Sequence, residues 1–157
     1  MTTLPTSALM IHFKDYERFH QTKNNKLCHY IAVPLVLFSL LGLLSYVVLW
    51  TPSLENGAES LFRIDLGLLL FIFGAFYAFR IDKKLAVPYL LYSYLNYLVA
   101  RHLSLSVLVG IQAAAWTVQF IGHYAYEKKS PAFFTNIAQL MIGPMWTFAK
   151  AIGYYSP

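Results

Sequence analysis

Two stretches hold nearly all the residues of this chain whose types and spacing could do chemistry. One is "FHQTKNNKLCHYIAVPL", residues 19–35, with His20, Asn25 and His29; the other is "GHYAYE", residues 122–127, with His123 and Glu127. Neutral imidazoles beside a carboxylate form a borderline-hard nitrogen and oxygen donor set, which suits Fe(II), Zn(II) or Mn(II). Glu127 follows His123 by four residues, the spacing that shares one face of a helix. Asn25 could orient a histidine or hydrogen-bond a substrate headgroup. The plainer alternative is a set of solvated imidazoles at a membrane surface, with Glu127, Lys128 and Lys129 as a hydrated charge cluster. His12 and His102 stay with that plainer reading. Cys28 is the only cysteine, so it can form no internal disulfide, and without a second soft ligand it reads as packing. No Ser/His/Asp order, Gly-rich phosphate loop or nucleotide motif is present.

The elements that must position these residues are set by composition. Of the 157 residues, 58% are hydrophobic and 12% charged, about half the charged share usual for soluble domains. Apolar stretches near the length of a membrane crossing recur. The fold class is therefore an all-α integral membrane protein, one membrane domain over 1–157. Four spans can be drawn, at about 30–50, 61–79, 85–100 and 103–124. The second starts inside a charged patch of Arg63 and Asp65, so its apolar core can begin as late as Leu66. The start of the chain lacks the basic, apolar and small-residue order of a removable signal peptide. The net charge of +5 contains no dense basic run, which argues for orientation and lipid contact and against nucleic-acid binding.

Charge places the ends. Lys14, Arg18, Lys23 and Lys26 precede the first span; Arg80, Lys83 and Lys84 lie between the second and third; Lys128 and Lys129 follow the fourth. The loop 51–60 carries only Glu55 and Glu59, and Arg101 alone follows the third span. Both termini are thus expected on the cytoplasmic side, of a bacterial inner membrane or of the endoplasmic reticulum. Helices at about 7–20 and 131–150 are expected to lie in the interface. In the first, Leu9, Phe13, Tyr16 and His20 form one helical stripe, with Ser7 as its N-cap. In the second, Ser130 caps, Pro131 takes the first helical position, and Gly143-Pro144 interrupts.

This topology brings His20, His29 and His123 to one end of the bundle and leaves His102 at the other. Gly122 would let another backbone come close to His123. In the third span Tyr89, Ser93, Asn96 and Ala100 share a stripe flanked by Tyr92 and Tyr97, either as hydrogen-bonding glue between helices or as one wall of a lipid cavity.

Two motifs add a resemblance. "HQTKNNKLCHYIAVP" reads as H-x4-N-x3-H-x4-P and "QFIGHYAYEKKSPAF" as Q-F-[IV]-G-H-x3-E-K-[KR]-x-P-A. Together they resemble the 2-hydroxy fatty acid dioxygenase family, small multi-span proteins of fungi and bacteria. The "IGP" at 142–144 fits that family's C-terminal proline, and the resemblance runs from about Tyr16 to Pro144. It implies an Fe(II)-dependent oxygenation that shortens a 2-hydroxy long-chain fatty acid by one carbon, the alpha-oxidation step, using dioxygen and no 2-oxoglutarate. The family histidines map onto His20, His29 and His123, the acid onto Glu127 and the asparagine onto Asn25. Many members have Gly where this chain has Ala32. Two other readings use the same residues: a lipid-binding or scaffold membrane protein without activity, and a zinc-dependent lipid hydrolase.

Overall fold

The computed structural model describes residues 7–52 and 63–155. The order is α1 (Ser7–Glu17), α2 (Lys23–Ser45), β1 (Val48–Trp50), β2 (Ile64–Asp65), α3 (Leu66–Ile81), α4 (Lys83–Ala100), α5 (Leu105–Ile121), a π-helical turn (Gly122–Glu127), a 3-10 turn (Ala132–Phe134) and α6 (Gln139–Ala151). The all-helical expectation holds apart from the short β1–β2 ribbon, which pairs antiparallel. Glu55 and Glu59 lie outside the described residues.

The α2–α5 pair is the axis of the molecule. At one end the Tyr46 hydroxyl donates to the Leu103 carbonyl at 2.8 Å, and at the other His29 meets His123, so the two helices run antiparallel. Gly42 permits the close approach: a Cβ there would stand 2.7 Å from Leu108 and 2.9 Å from Ala100. The α3–α4 hairpin packs beside this pair, and its corner joins α1 and α6. There Leu9, Phe13, Tyr16, Ala78, Leu85, Ile142, Met145 and Trp146 form a buried cluster.

Several boundaries differ from expectation. The first span starts at Lys23 and stops at Ser45, not 50, because Val48–Trp50 leaves the helix to pair with Ile64–Asp65. Asp65 makes that end: its Oδ1 accepts from the Leu68 amide at 2.8 Å and so caps α3, which does begin at Leu66. Four crossings do not follow from helix length and apolarity. Among the described residues two helical stretches are long and apolar enough, Lys23–Ser45 and Leu105–Glu127. The 16-residue α3 would reach only about 24 Å at the α-helical rise, short of a hydrocarbon core of about 30 Å. Yet only 33% and 22% of the apolar windows of the two long stretches are buried inside the protein, unlike core helices of a soluble fold. Leu91, Leu95 and Val99 on α4 and Ile72, Phe73 and Phe76 on α3 are also exposed. Outward apolar faces of this extent are compatible with association with a membrane.

The end helices are shorter than expected. α1 stops at Glu17, and His20 follows in a turn whose amide donates to the Glu17 carbonyl at 3.0 Å. The stripe is nevertheless buried in full: Leu9, Phe13, Tyr16 and His20 are each at most 4% exposed. Ser130 and Pro131 start no long helix. Pro131 leads into the 3-10 turn, and α6 begins at Gln139 and runs through Pro144 without a break. Gly143 serves packing there, since a Cβ would meet the Tyr16 hydroxyl at 3.0 Å. On α4 the buried stripe is Tyr89, Ser93, Tyr97 and Ala100; Asn96 is half-buried and donates to the Tyr92 carbonyl of its own helix at 2.8 Å.

Candidate metal centre

Each of the three converging histidines comes from a different element. His20 sits in the turn after α1, His29 in the second turn of α2, and His123 in the π-helical turn that ends α5. All three are at most 2% exposed, and one ligand atom from each lies within 4.8 Å of the others. The rings meet edge to face, His20 with His29 at 4.2 Å between centroids and His29 with His123 at 4.8 Å.

The backbone fixes the proton on His20. Its Nδ1 lies 2.7 Å from the Tyr16 carbonyl, which can only accept, so Nδ1 carries the hydrogen and Nε2 keeps a bare lone pair. That Nε2 is buried with no hydrogen-bond partner. Burial pushes the His20 pKa down to about 4, so the ring is neutral at physiological pH, as a ligand must be. The Tyr16 ring stacks on His20 at 4.1 Å, and its hydroxyl stands 3.4 Å from His29 Nδ1. His29 Nε2 and His123 Nε2 face each other at 3.1 Å.

The facing nitrogens of His29 and His123 are spaced to share a metal ion. Two nitrogens bound to one ion at about 2.0–2.1 Å stand about 3.0 Å apart at right angles and about 3.4 Å apart in a tetrahedron. The 3.1 Å spacing of the two facing nitrogens lies in that interval, and the bare Nε2 of His20 supplies a third lone pair. A cavity of about 40 Å³ adjoins them, bounded also by Val36, Trp116 and Gln119. That exceeds the room a single water needs.

Glu127 is at this end but bonds to no imidazole. Its Oε1 accepts from the Gln21 amide at 2.9 Å. Its Oε2 accepts from the Thr22 amide at 3.0 Å, the Thr22 hydroxyl at 3.0 Å and the Asn25 side-chain amide at 3.1 Å. The π-helical turn explains the change of partner, because its wider winding carries residue i+4 off the face of His123. Lys128, in the left-handed region at φ 56°, ends the turn. The carboxylate thus sits on the N-terminus of α2, where orphan amides and the helix dipole favour an anion. Thr22 is the N-cap of that helix. Asn25 is fully buried and also donates to the Phe19 carbonyl at 3.2 Å, tying the His20 turn to α2. Its Oδ1 occupies the space above Gly122, where a Cβ would stand 2.5 Å away. Side chains of α2, Asn25 and Cys28, therefore make the close approach that Gly122 permits.

His12 and His102 are not in the cluster. Sequence reasoning missed Tyr16, Gln119 and Thr22 as parts of the site. Tyr16 and His20, and Gln119 and His123, are each four residues apart, a spacing that could have flagged both.

Residues 7–155 match the family model described as "2-hydroxy-palmitic acid dioxygenase Mpo1-like". The chain belongs to the Mpo1-like family. Within curated proteins it is 28% identical over 146 residues to the 2-hydroxy-palmitic acid dioxygenase MPO1 of Saccharomyces cerevisiae, covering 88% of this chain and 78% of that one. No solved structure matches. Mpo1-like membership agrees with the resemblance carried by the two histidine motifs. The scaffold and zinc-hydrolase readings gain nothing from these matches.

Proposed function

We propose that this protein is an Fe(II)-dependent dioxygenase that shortens 2-hydroxy long-chain fatty acids by one carbon. The observation that carries the reading is the set of three buried imidazoles with a nitrogen pair at 3.1 Å and a third nitrogen left bare, in a chain of the Mpo1-like family. His20, His29 and His123 hold the ion. When bound, Fe(II) supplies activation of dioxygen and Lewis acidity toward the hydroxyl and carboxylate oxygens of the substrate.

The chain's own residues do the positioning. The Tyr16 carbonyl holds the His20 proton on Nδ1 and so keeps Nε2 free toward the ion. Glu127 and Asn25 act through the backbone: they clamp residues 19–22 and so set the distance between His20 and His29. Burial of the rings excludes bulk water from the reacting end of the substrate. The basic side chains Lys23, Lys26, Lys128 and Lys129 at this end draw the substrate carboxylate to the membrane surface, while its tail stays in lipid.

The whole chain acts as one multi-pass membrane domain, with both termini and the site formed by His20, His29 and His123 on the cytoplasmic side. The placement of Lys14, Arg18, Lys23, Lys26, Lys83, Lys84, Lys128 and Lys129 supports that orientation. The test is anaerobic purification, loading with Fe(II) or Zn(II), and turnover of a 2-hydroxy long-chain acid with an oxygen electrode. Oxygen uptake with release of the acid one carbon shorter, under Fe(II) alone, is expected. Iron-loaded protein that takes up no oxygen and yields no shorter acid would overturn the reading.

A further inference from the structure

A second cavity, of about 210 Å³, lies between α2, α3, α4, α5 and α6 and is lined chiefly by Leu and other apolar side chains, with Tyr89 and Ser93 from α4. Val36, Trp116, Leu140 and Pro144 line both this cavity and the one beside the histidines, so the two are neighbours across a shared wall of four residues. Along α2 the apolar lining runs from Val33, one turn beyond His29, to Leu41. That is about 18 Å from His29 at the helical rise, a length comparable to an extended long-chain acyl tail. At the α3–α6 side Gly74 faces Met141: a Cβ on Gly74 would stand 3.4 Å from the Met141 methyl. Gly74 and Met141 both line the cavity, so a bulky side chain at 74 directed inward would take up space beside Met141.

We propose that this cavity takes the acyl tail of the substrate, and that Gly74 and Met141 set how long a tail fits. The inference rests on the 2-hydroxy fatty acid reading and specifies the apolar half of the same site. A tail threaded past Trp116 and Leu140 would leave its hydroxyl and carboxylate at the imidazoles. The rival occupant is the tail of an ordinary bilayer phospholipid, and the two are separable by experiment.

The test uses full-length, metal-free protein in lipid nanodiscs, with bromine placed mid-tail as a short-range quencher of tryptophan fluorescence. Brominated 2-hydroxy fatty acid should quench saturably. Unbrominated 2-hydroxy fatty acid should reverse the quenching, and Trp116→Phe should remove most of it. Equal quenching by brominated phospholipid, without competition by the free acid, makes the cavity a lipid site and overturns the proposal. Across a tail-length series, Gly74→Phe should weaken binding of long tails by about tenfold or more and spare short ones, and Met141→Ala should move the preference to longer tails. If both variants leave the profile unchanged, the proposal fails, even with turnover intact. Length-selective binding here, with no oxygen uptake or shorter acid from the iron-loaded protein, would instead sink the dioxygenase reading and leave the cavity assignment standing.

Discussion

Two buried polar clusters sit at opposite ends of the α2–α5 pair, and they settle their charges differently. At the far end Asp65, fully buried, accepts from the Leu68 amide, the Arg63 guanidinium at 3.1 Å and the Tyr97 hydroxyl at 2.8 Å. Arg63 in turn donates to the Ser45 carbonyl that ends α2. No polar side-chain atom of Asp65 is left without a partner. At the near end His20 Nε2, His123 Nδ1 and Asn25 Oδ1 are all buried and unpartnered. Such atoms cost free energy unless something satisfies them. A saturated cluster is what a fold needs to close a helix end; a cluster with unpartnered buried polar atoms, among them the bare lone pair of His20 Nε2, is what a fold needs to hold something else.

Perturbing each cluster should separate these roles. Asp65→Ala removes a cap and leaves the buried Tyr97 hydroxyl and the half-buried Arg63 guanidinium without their acceptor, so thermal unfolding in detergent should show a loss of about 2–4 kcal/mol. Metal content measured below the melting transition should not change. A loss of metal with no loss of stability would reverse the roles assigned to the two ends.

Glu127→Gln keeps the shape but weakens charge-assisted bonds to the residue 21–22 amides. Metal affinity should fall by about 10–100-fold, the usual effect of a residue that orients ligands without touching the ion. Stability should fall by about 1–3 kcal/mol. Affinity lost entirely at unchanged stability would instead make Glu127 a direct ligand.

Gly122→Ala puts a methyl against Asn25 Oδ1 and should separate the π-helical turn from α2. The expected cost is about 1–3 kcal/mol, with some loss of metal affinity, read by isothermal titration. Asn25→Ala in the same background should restore part of the loss, since it removes the clashing atom.

The smallest effect is pH dependence of the metal-free protein. His20 is neutral in the fold, with its pKa pushed from 6.5 to about 4 mainly by burial. Its contribution is therefore fully present above pH 6.5 and is lost as pH falls toward 4, because the unfolded chain binds the proton first. The melting temperature should drop over that window, and His20→Asn should flatten the drop. A melting temperature that rises on acidification contradicts a buried neutral His20.

Much of this was legible in the residues. Membrane-like composition, the α1 stripe of Leu9, Phe13, Tyr16 and His20, and the gathering of His20, His29 and His123 all follow from periodicity and charge. What escaped were features set by long-range partners. Nothing local says that Val48–Trp50 leaves a helical run; that depends on Ile64 and Asp65 arriving opposite. The π-helical turn is invisible to a 3.6-residue pattern, so Glu127 was expected beside His123 when its oxygens belong to α2. On α4 the stripe shifted from Asn96 to Tyr97 because the Tyr97 hydroxyl reaches Asp65.

The most direct measurement of the central claim is metal stoichiometry by mass spectrometry after anaerobic purification. The comparison is between the native chain and the His20→Ala, His29→Ala and His123→Ala variants, each checked for folding by circular dichroism. One iron per native chain, lost in every folded variant, is the predicted result. Iron retained in folded protein lacking both His29 and His123, or a native chain that binds none, would contradict it.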